Sequence, residues 1–436
     1  MKKTILRLLA LTIAVLSVIL PLSACADRGT TLLSLSADGK TYTYSKNLYQ
    51  LSLSAYKGQL VAAGATANGK SPADSAYWEI IDDLDGKRQT LNEYYSNAIL
   101  EQCKYNLIAL YLFDRYQLSL SQKDWDDIDK MLNELVQTDG GGSKNKLNSV
   151  LYDYGVNYDM MREHYTNSKR ISALRSHLYS IIGKNIKQAY LEENYVHFHQ
   201  IFLAKYKHVY VTDENGDVIY YDTANNNSVC YKKTEFFKQE SGKTVYYTDG
   251  TYQHISYDTE KGVPLDKVAS DGTVITEDLT EEELTALEGR AELLWESLQG
   301  VDTDTFEAMV AAEGEDDSAK AYLDGYYLKN DIDYSSSGED YMYLDTLIDR
   351  LDGMKDGDVT LVESTFGWHV VMKYAHSDAA YEKQENEVWF ESFESSLTEK
   401  VFREEADAYL GAIAVDESAL SSAPDMKAVL PNYYYY

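Results

Sequence analysis

From Leu91 onward, apolar residues return at three- and four-residue spacing, through Tyr94, Tyr95, Ala98, Ile99, Cys103, Leu107, Leu110 and Tyr111. A run of that period has one face to bury and folds as amphipathic helices packed on one another. The helical pattern occupies residues 76–195. Within it, Ser121 and Asp124 are placed as in a capping box, with Asp at the usual Glu or Gln position, and Gly140-Gly141-Gly142 stops the helix so begun. Further helices are expected over Lys144–Tyr154, Tyr158–Ile182 and Ile186–Glu193, making an α-helical domain. Ahead of them, Asp38-Gly39 marks a turn, Thr41 to Tyr44 alternate as a strand does, and a helix starts near Lys46.

At Tyr195 the period changes from helix to strand. The run YVHFHQIFLA reads as one short strand, and residues 205–278 are rich in Tyr, Thr, Asn and Asp, with turn signals at Asn215-Gly216, Asp249-Gly250 and Asp271-Gly272. Helical patterning returns over Glu281–Leu298 and around Phe306–Ala312. A strand at Thr365–Tyr374 precedes a long helix over Tyr381–Leu410, and the tail ending LPNYYYY reads as disordered. The fold class expected is α+β: an α-helical domain, then a small antiparallel sheet with helices that carries a β-rich insertion.

The first residues place the chain. Lys2, Lys3 and Arg7 precede an apolar run from about Leu8 to Leu20, the layout of a signal peptide and short for a membrane span. Leu22-Ser23-Ala24-Cys25 resembles a bacterial lipobox, which implies cleavage after residue 24 and a diacylglycerol on the Cys25 sulfur, two acyl chains that suffice for stable anchoring. Removing residues 1–24 leaves 37 basic against 71 acidic residues, a net charge of −34. Such a surface argues against nucleic acid as a partner. Cys103 and Cys230, far apart, form no zinc or disulfide pattern. No Gly-rich phosphate loop and no GxSxG occurs. DENGD and DDLDGKRQT lack the ligand and glycine offsets of a calcium loop. A solute-binding lipoprotein would need repeating βα units, which residues 76–195 contradict.

The string GDVTLVESTFGWHVVMKY, Gly357 to Tyr374, resembles the end of parvulin-type peptidyl-prolyl isomerase domains, with Phe366, Gly367, Trp368 and His369 in the family's pattern. YVHFHQIFLA resembles the opening strand of those domains, GVDTDTFEAMVAAEGEDDSA the helix and acidic turn after it, and YLDGYY the Gly-rich turn that follows. Residues 76–195 resemble the helical chaperone region of SurA and PrsA-type foldases, in which a C-terminal helix returns to the helical domain. The resemblance implies a PrsA-like foldase lipoprotein: residues 1–24 signal peptide, 25–75 lipidated N-terminus with a strand and first helix, 76–195 helical chaperone domain, 196–376 parvulin-like domain with the insertion at 205–278, 377–412 returning helix, and 413–436 disordered tail.

The family's reaction is rotation about the bond preceding proline, against a barrier of ~18–20 kcal/mol set by amide resonance. It needs an apolar seat for the ring and a polar surround that favours the twisted amide, without metal or cofactor. Carried over by position, His369 is one of the family's two histidines, Asp316 or Asp317 stands for the acidic position, and Met342, Tyr343, Leu347 and Phe366 for the proline pocket. Over the opening strand, Gln200-Ile201-Phe202-Leu203 falls on the family's His-Ile-Leu-Val, so Gln200 replaces the first histidine. Sliding by one would put His199 there but would exchange the strand's two faces and bury Gln200 among helices. His197 and His199 then share the opposite face. The expected function is a foldase held at the outer face of the bacterial cytoplasmic membrane, acting on X-Pro bonds of exported, unfolded or partly folded proteins. Because Gln cannot change protonation, a non-catalytic holdase on the same scaffold is the alternative.

Overall fold

The computed structural model describes residues 29–212, 216, 218–222, 230–232, 237–240, 243–248, 253–256, 262–316, 322 and 324–435. Cys25, Asp317, Asn215 and Asp249-Gly250 lie outside them. The fold is α+β and divides into two units, Met1–Tyr190 with Phe390–Tyr436, and Leu191–Trp389.

The first unit opens on the hairpin Thr31–Ala37/Lys40–Ser45, closed by Asp38 and Gly39, both at positive φ (51° and 74°). Two residues of that conformation match the right-handed twist of the strands they join. Ser45 caps helix Lys46–Ala62 by accepting from the Leu48 amide. Leu91–Arg115 begins with a capping box between Thr90 and Glu93, and Gln122–Thr138 with one between Ser121 and Asp124. Lys144–Leu151, Tyr158–Ile181, Phe393–Leu410 and the short helices Ser75–Trp78 and Glu417–Ser421 also contribute to a core in which Trp78, Tyr44, Tyr56, Tyr77 and Tyr95 are fully buried.

Three expectations are corrected here. Residues 81–90 are a hairpin, Ile81–Leu84/Lys87–Thr90, because Asp85-Gly86 supplies the same pair of positive φ angles (50° and 72°). The helix expected from Tyr381 begins at Phe393; residues 380–382 and 384–389 are 3-10 turns. The tail expected as disordered is built into the unit. Ile413–Val415 pairs with Thr31–Ala37, and the buried Lys57 ammonium donates to the carbonyls of Met426, Lys427 and Val429 at 2.8–3.2 Å. The Asn432 amide bonds the Ser54 carbonyl, and Tyr435 is buried with its hydroxyl on Asp139. Gly58 admits this strap: a Cβ there would sit 1.9 Å from the Asn432 carbonyl oxygen.

The second unit centres on a four-stranded antiparallel sheet. Its strands are β1 (Tyr195–Ala204), β2 (Tyr326–Lys329), β3 (Val359–Glu363) and β4 (Gly367–Lys373), in the order β2-β1-β4-β3. Helices α1 (Glu281–Ser297), α2 (Thr303–Glu313) and α3 (Met342–Asp352) pack on it. Between β1 and α1, Tyr206–His208 pairs with Thr276–Asp278. The described strands within 219–264 form two further antiparallel sheets of three.

Candidate functional site

Every residue of β1 is buried, so its alternation sorts side chains between two covered faces. The ladder sets Phe202 opposite His369, Gln200 opposite Val371 and Phe198 opposite Tyr326. Gln200, Phe202, His369 and Tyr326 therefore share one face. His199 points the other way, to the Glu307 carboxylate of α2 at 3.0 Å. Two hydrogen bonds, from His199 and Tyr374, hold the Glu307 pKa down against the opposing effect of its burial. His197 lies on the His199 side, its ring nitrogens 2.6 Å from the carbonyl oxygens of Ala375 and Asp324, stacked on Tyr327 at 4.0 Å. Both histidines of YVHFHQIFLA are thus taken up by the structure on the face away from His369.

β4 comes close to β1 at its first residue. A Cβ on Gly367 would lie 2.1 Å from the Leu203 carbonyl oxygen and 2.7 Å from Cε2 of Phe202, so only glycine lets the strands pair there. The preceding turn is held by Ser364, whose Oγ accepts from the amides of Phe366 (3.2 Å) and Gly367 (3.1 Å).

His369 is 3% exposed and both its ring nitrogens are engaged: Nδ1 with Gln200 Oε1 at 2.9 Å, Nε2 with Ser364 Oγ at 2.8 Å. Ser364 already accepts twice, and its proton has two acceptors in reach, the Gly367 carbonyl at 3.3 Å and Nε2 at 2.8 Å; the shorter contact assigns it to Nε2, and Nδ1 then carries the ring proton and donates to Gln200. Burial, helped by the nearby Lys205 ammonium, pushes the His369 pKa down to about 4. The ring is therefore neutral at physiological pH. Lys205 is itself held by Glu363 at 2.6 Å and the Ser364 carbonyl at 2.9 Å.

Around this polar floor stand aromatic rings. Tyr343, near the start of α3, stacks on His369 at 4.6 Å and 14°, and Phe202 meets it at 4.9 Å. Phe366, 40% exposed, and Met342, 55% exposed, present apolar surface to solvent. Leu347 is corrected as a pocket residue: at 0% exposure it packs with Ile348 and Leu351 in the core and offers nothing to a ligand. Asp316 is half-buried, 3.4 Å from the Tyr326 hydroxyl. Ser364 and Tyr326 belong to the site and were not singled out in the sequence. The Ser-x-x-Gly spacing ahead of Trp368-His369 was a usable signal for Ser364; Tyr326 carried none beyond its place after Gly325.

Such an arrangement offers a neutral, fully hydrogen-bonded imidazole beneath aromatic surface. It can orient and polarise; at neutral pH it holds no proton to give.

Comparison with solved structures finds likeness to PrsA from Bacillus subtilis, at 13% identity over 80% of this chain and 94% of that one, with a TM-score of 0.18. The foldase protein PrsA from Streptococcus pneumoniae gives 12% identity, 79% and 97% coverage and 0.19. The peptidylprolyl isomerase PrsA from Bacillus anthracis gives 15%, 73% and 96%, and 0.17. At these TM-scores the superpositions define no residue correspondence. No family model and no curated protein matches the sequence.

Proposed function

We propose that the chain is an extracytoplasmic foldase, anchored through a lipid at Cys25, whose second unit catalyses cis-trans rotation of X-Pro bonds in exported proteins. The observation that carries this reading is the hydrogen bond between His369 and Gln200. The FGWH string and the opening strand, each of which resembles parvulin-type domains separately, meet there, which supports reading Gln200 as the replacement of the first histidine. Rotation makes and breaks no covalent bond, so a neutral imidazole suffices. Phe366, Tyr343 and Met342 supply apolar and aromatic surface for the proline ring, and the polar floor favours the amide as its resonance is lost. Gln200 replaces an imidazole in hydrogen bonding only. Asp316 takes the acidic position, set back behind Tyr326. A proline-isomerisation assay on a short peptide tests the proposal: the intact chain accelerates rotation, and His369→Ala lowers the rate at least tenfold. An unchanged rate in His369→Ala refutes the site.

A second reading is favoured by the burial of His369 beneath Tyr343. In it the same scaffold is a holdase, and the second unit serves for shape. Suppression of client aggregation together with no measurable rotation by the unmodified chain decides for the holdase.

A further inference from the structure

Two aromatic stretches that the site leaves unused meet on the first unit. Tyr152, Asp153 and Tyr154 form a 3-10 turn closed by Gly155, whose amide donates to the Tyr152 carbonyl at 2.9 Å. The tail returns to this turn: the Tyr435 ring stands 5.4 Å from that of Tyr154, with Tyr434 6.4 Å from Tyr435 and Tyr433 6.2 Å from Tyr434. Tyr435 is buried and anchors the group, but Tyr152 is 79% and Tyr434 76% exposed, and Tyr433, Leu430 and Val150 in the same two segments are exposed as well. From Val150 to Gly155 and from Ala428 to Tyr435, Asp153 is the one charged residue. Aromatic and apolar side chains gathered in this way mark a contact surface.

What covers it follows from where the chain enters the unit. Gly29 is packed on the first turn of helix Lys46–Ala62: a Cβ on it would lie 1.9 Å from Asn47 Oδ1, and the Thr30 carbonyl accepts from the Lys46 amide at 2.8 Å. Asn47 in turn donates from Nδ2 to the Gly155 carbonyl at 2.5 Å. One side chain therefore joins Gly29 to the end of the tyrosine turn. Gly29 follows Cys25 by four positions, and a chain of that length spans at most about 14 Å. With two acyl chains on its sulfur, Cys25 lies where hydrocarbon meets headgroups, and the headgroup layer is itself about 5–8 Å deep. Even a fully drawn tether leaves Gly29 less than about 10 Å clear of the headgroups.

We propose that Tyr152, Tyr433 and Tyr434 form a membrane-docking surface, seated among the lipid headgroups beside the anchor and fixing which side of the first unit faces the bilayer. The proposal rests on the lipid at Cys25 and is independent of isomerase activity. A tyrosine ring suits that layer, being apolar in its body and polar at its tip. The net charge of −34 after residue 24 gives no attraction to anionic lipid, so the contact is aromatic and needs no lipid charge. It adds a second hold to the acyl chains and removes the free rotation that a bare tether allows.

The test uses the full chain made in a bacterium and purified as the lipoprotein, with mass spectrometry reporting diacylglycerol on Cys25. It is inserted into preformed phosphatidylcholine vesicles, with and without phosphatidylglycerol, and treated with a water-soluble tyrosine-nitrating reagent. Residues 26–436 without lipid, mixed with the same vesicles, give the reference rates. Nitration of Tyr152 and Tyr434 is expected to be about fivefold or more slower on the anchored chain, on both kinds of vesicle and in high salt. Tyr152→Ser/Tyr433→Ser/Tyr434→Ser changes exposed side chains alone. In it, peptides covering residues 150–157 and 428–435 lose the slowing of hydrogen exchange that vesicles give the unmodified chain. Equal nitration rates in the anchored and reference chains overturn the proposal, and so does protection that needs phosphatidylglycerol and vanishes in salt. Protection of the lipid-free chain that grows with its concentration, or protection that requires an added unfolded protein, assigns the surface to a second copy or to a client and also overturns it. A mature chain lacking diacylglycerol overturns the anchor and the docking together, whereas a lipidated chain with freely nitrated tyrosines overturns the docking alone.

Discussion

Acid should weaken the second unit through His369, and by a calculable amount. In the unfolded chain a histidine titrates near ~6.5; in the fold, burial and Lys205 bring His369 down to about 4. Between those values the unfolded chain binds the proton and the folded one does not, so stability rises with pH. The contribution is complete above the unfolded pKa and is lost as pH falls toward 4. Lowering the pH from ~7 to ~5 should cost about 2 kcal/mol from this group alone. His197, whose pKa burial also lowers, adds a loss of the same sign, so the wild-type slope by itself does not isolate His369. The comparison is with His369→Gln, which keeps a polar side chain and cannot titrate, while His197 is common to both. Urea unfolding followed by hydrogen exchange of peptides from β1 and β4 reports the second unit separately. Wild type should lose about 2 kcal/mol more than His369→Gln between the two pH values. Equal losses would mean that His369 is not held neutral by burial, and the account of the site would fail with it.

If rotation is catalysed, its rate should be flat between pH ~6 and ~8, because a ring titrating near 4 changes nothing there; a step near ~6.5 in kcat/KM would point to a different, ordinary histidine. Gly367→Ala should destabilise the second unit by about 1–3 kcal/mol, since the added carbon meets backbone of β1 that must move, and thermal unfolding measures it. Lys57→Met should destabilise the first unit by about 1–3 kcal/mol by leaving the carbonyls of Met426, Lys427 and Val429 unpaired. Limited proteolysis near residue 425 should accelerate in that variant, and an unchanged cutting rate would show that Lys57 does not hold the strap.

What the sequence made legible was local. Asp38-Gly39 called its hairpin and Ser121 with Asp124 its capping box because the signal and the structure lie within a few residues. The faces of β1 were also readable, with Gln200 on one and His197 and His199 on the other, because a one-residue slip would invert every side chain between Tyr195 and Ala204. The hairpin at Asp85-Gly86 escaped because its strands are short and largely exposed, with Leu84 as its buried apolar residue and little alternation to detect. The stripe through Val388, Trp389, Ser392 and Phe393 suggested one helix, yet Trp389 packs on Tyr322 and Tyr326 of the second unit while Phe393 meets Tyr190 of the first. The boundary between the units falls inside the stripe. The tail eluded reading for a different reason: the groups that order it, Lys57, Ser54 and Asp139, lie roughly 300 to 380 positions away in the sequence, and no window spans that distance. Ser364 and Tyr326 were hidden likewise, since their roles exist only once four strands stand side by side.

The strap that crosses Gly58 ties the birth of the protein to its far end. Residues 390–435 supply a strand, two helices and three carbonyl acceptors to a core begun before residue 190, and the second unit lies between them in the chain. A ribosome releases the segments in order, so the second unit has its whole sequence, and can close, while the first still waits with an open sheet edge at Thr31–Ala37 and a lysine without acceptors. A chain cut short between residues 390 and 435 would have the whole sequence of the second unit and an incomplete first one. The first unit therefore closes only after residues 413–435 have been made, long after its own first strand.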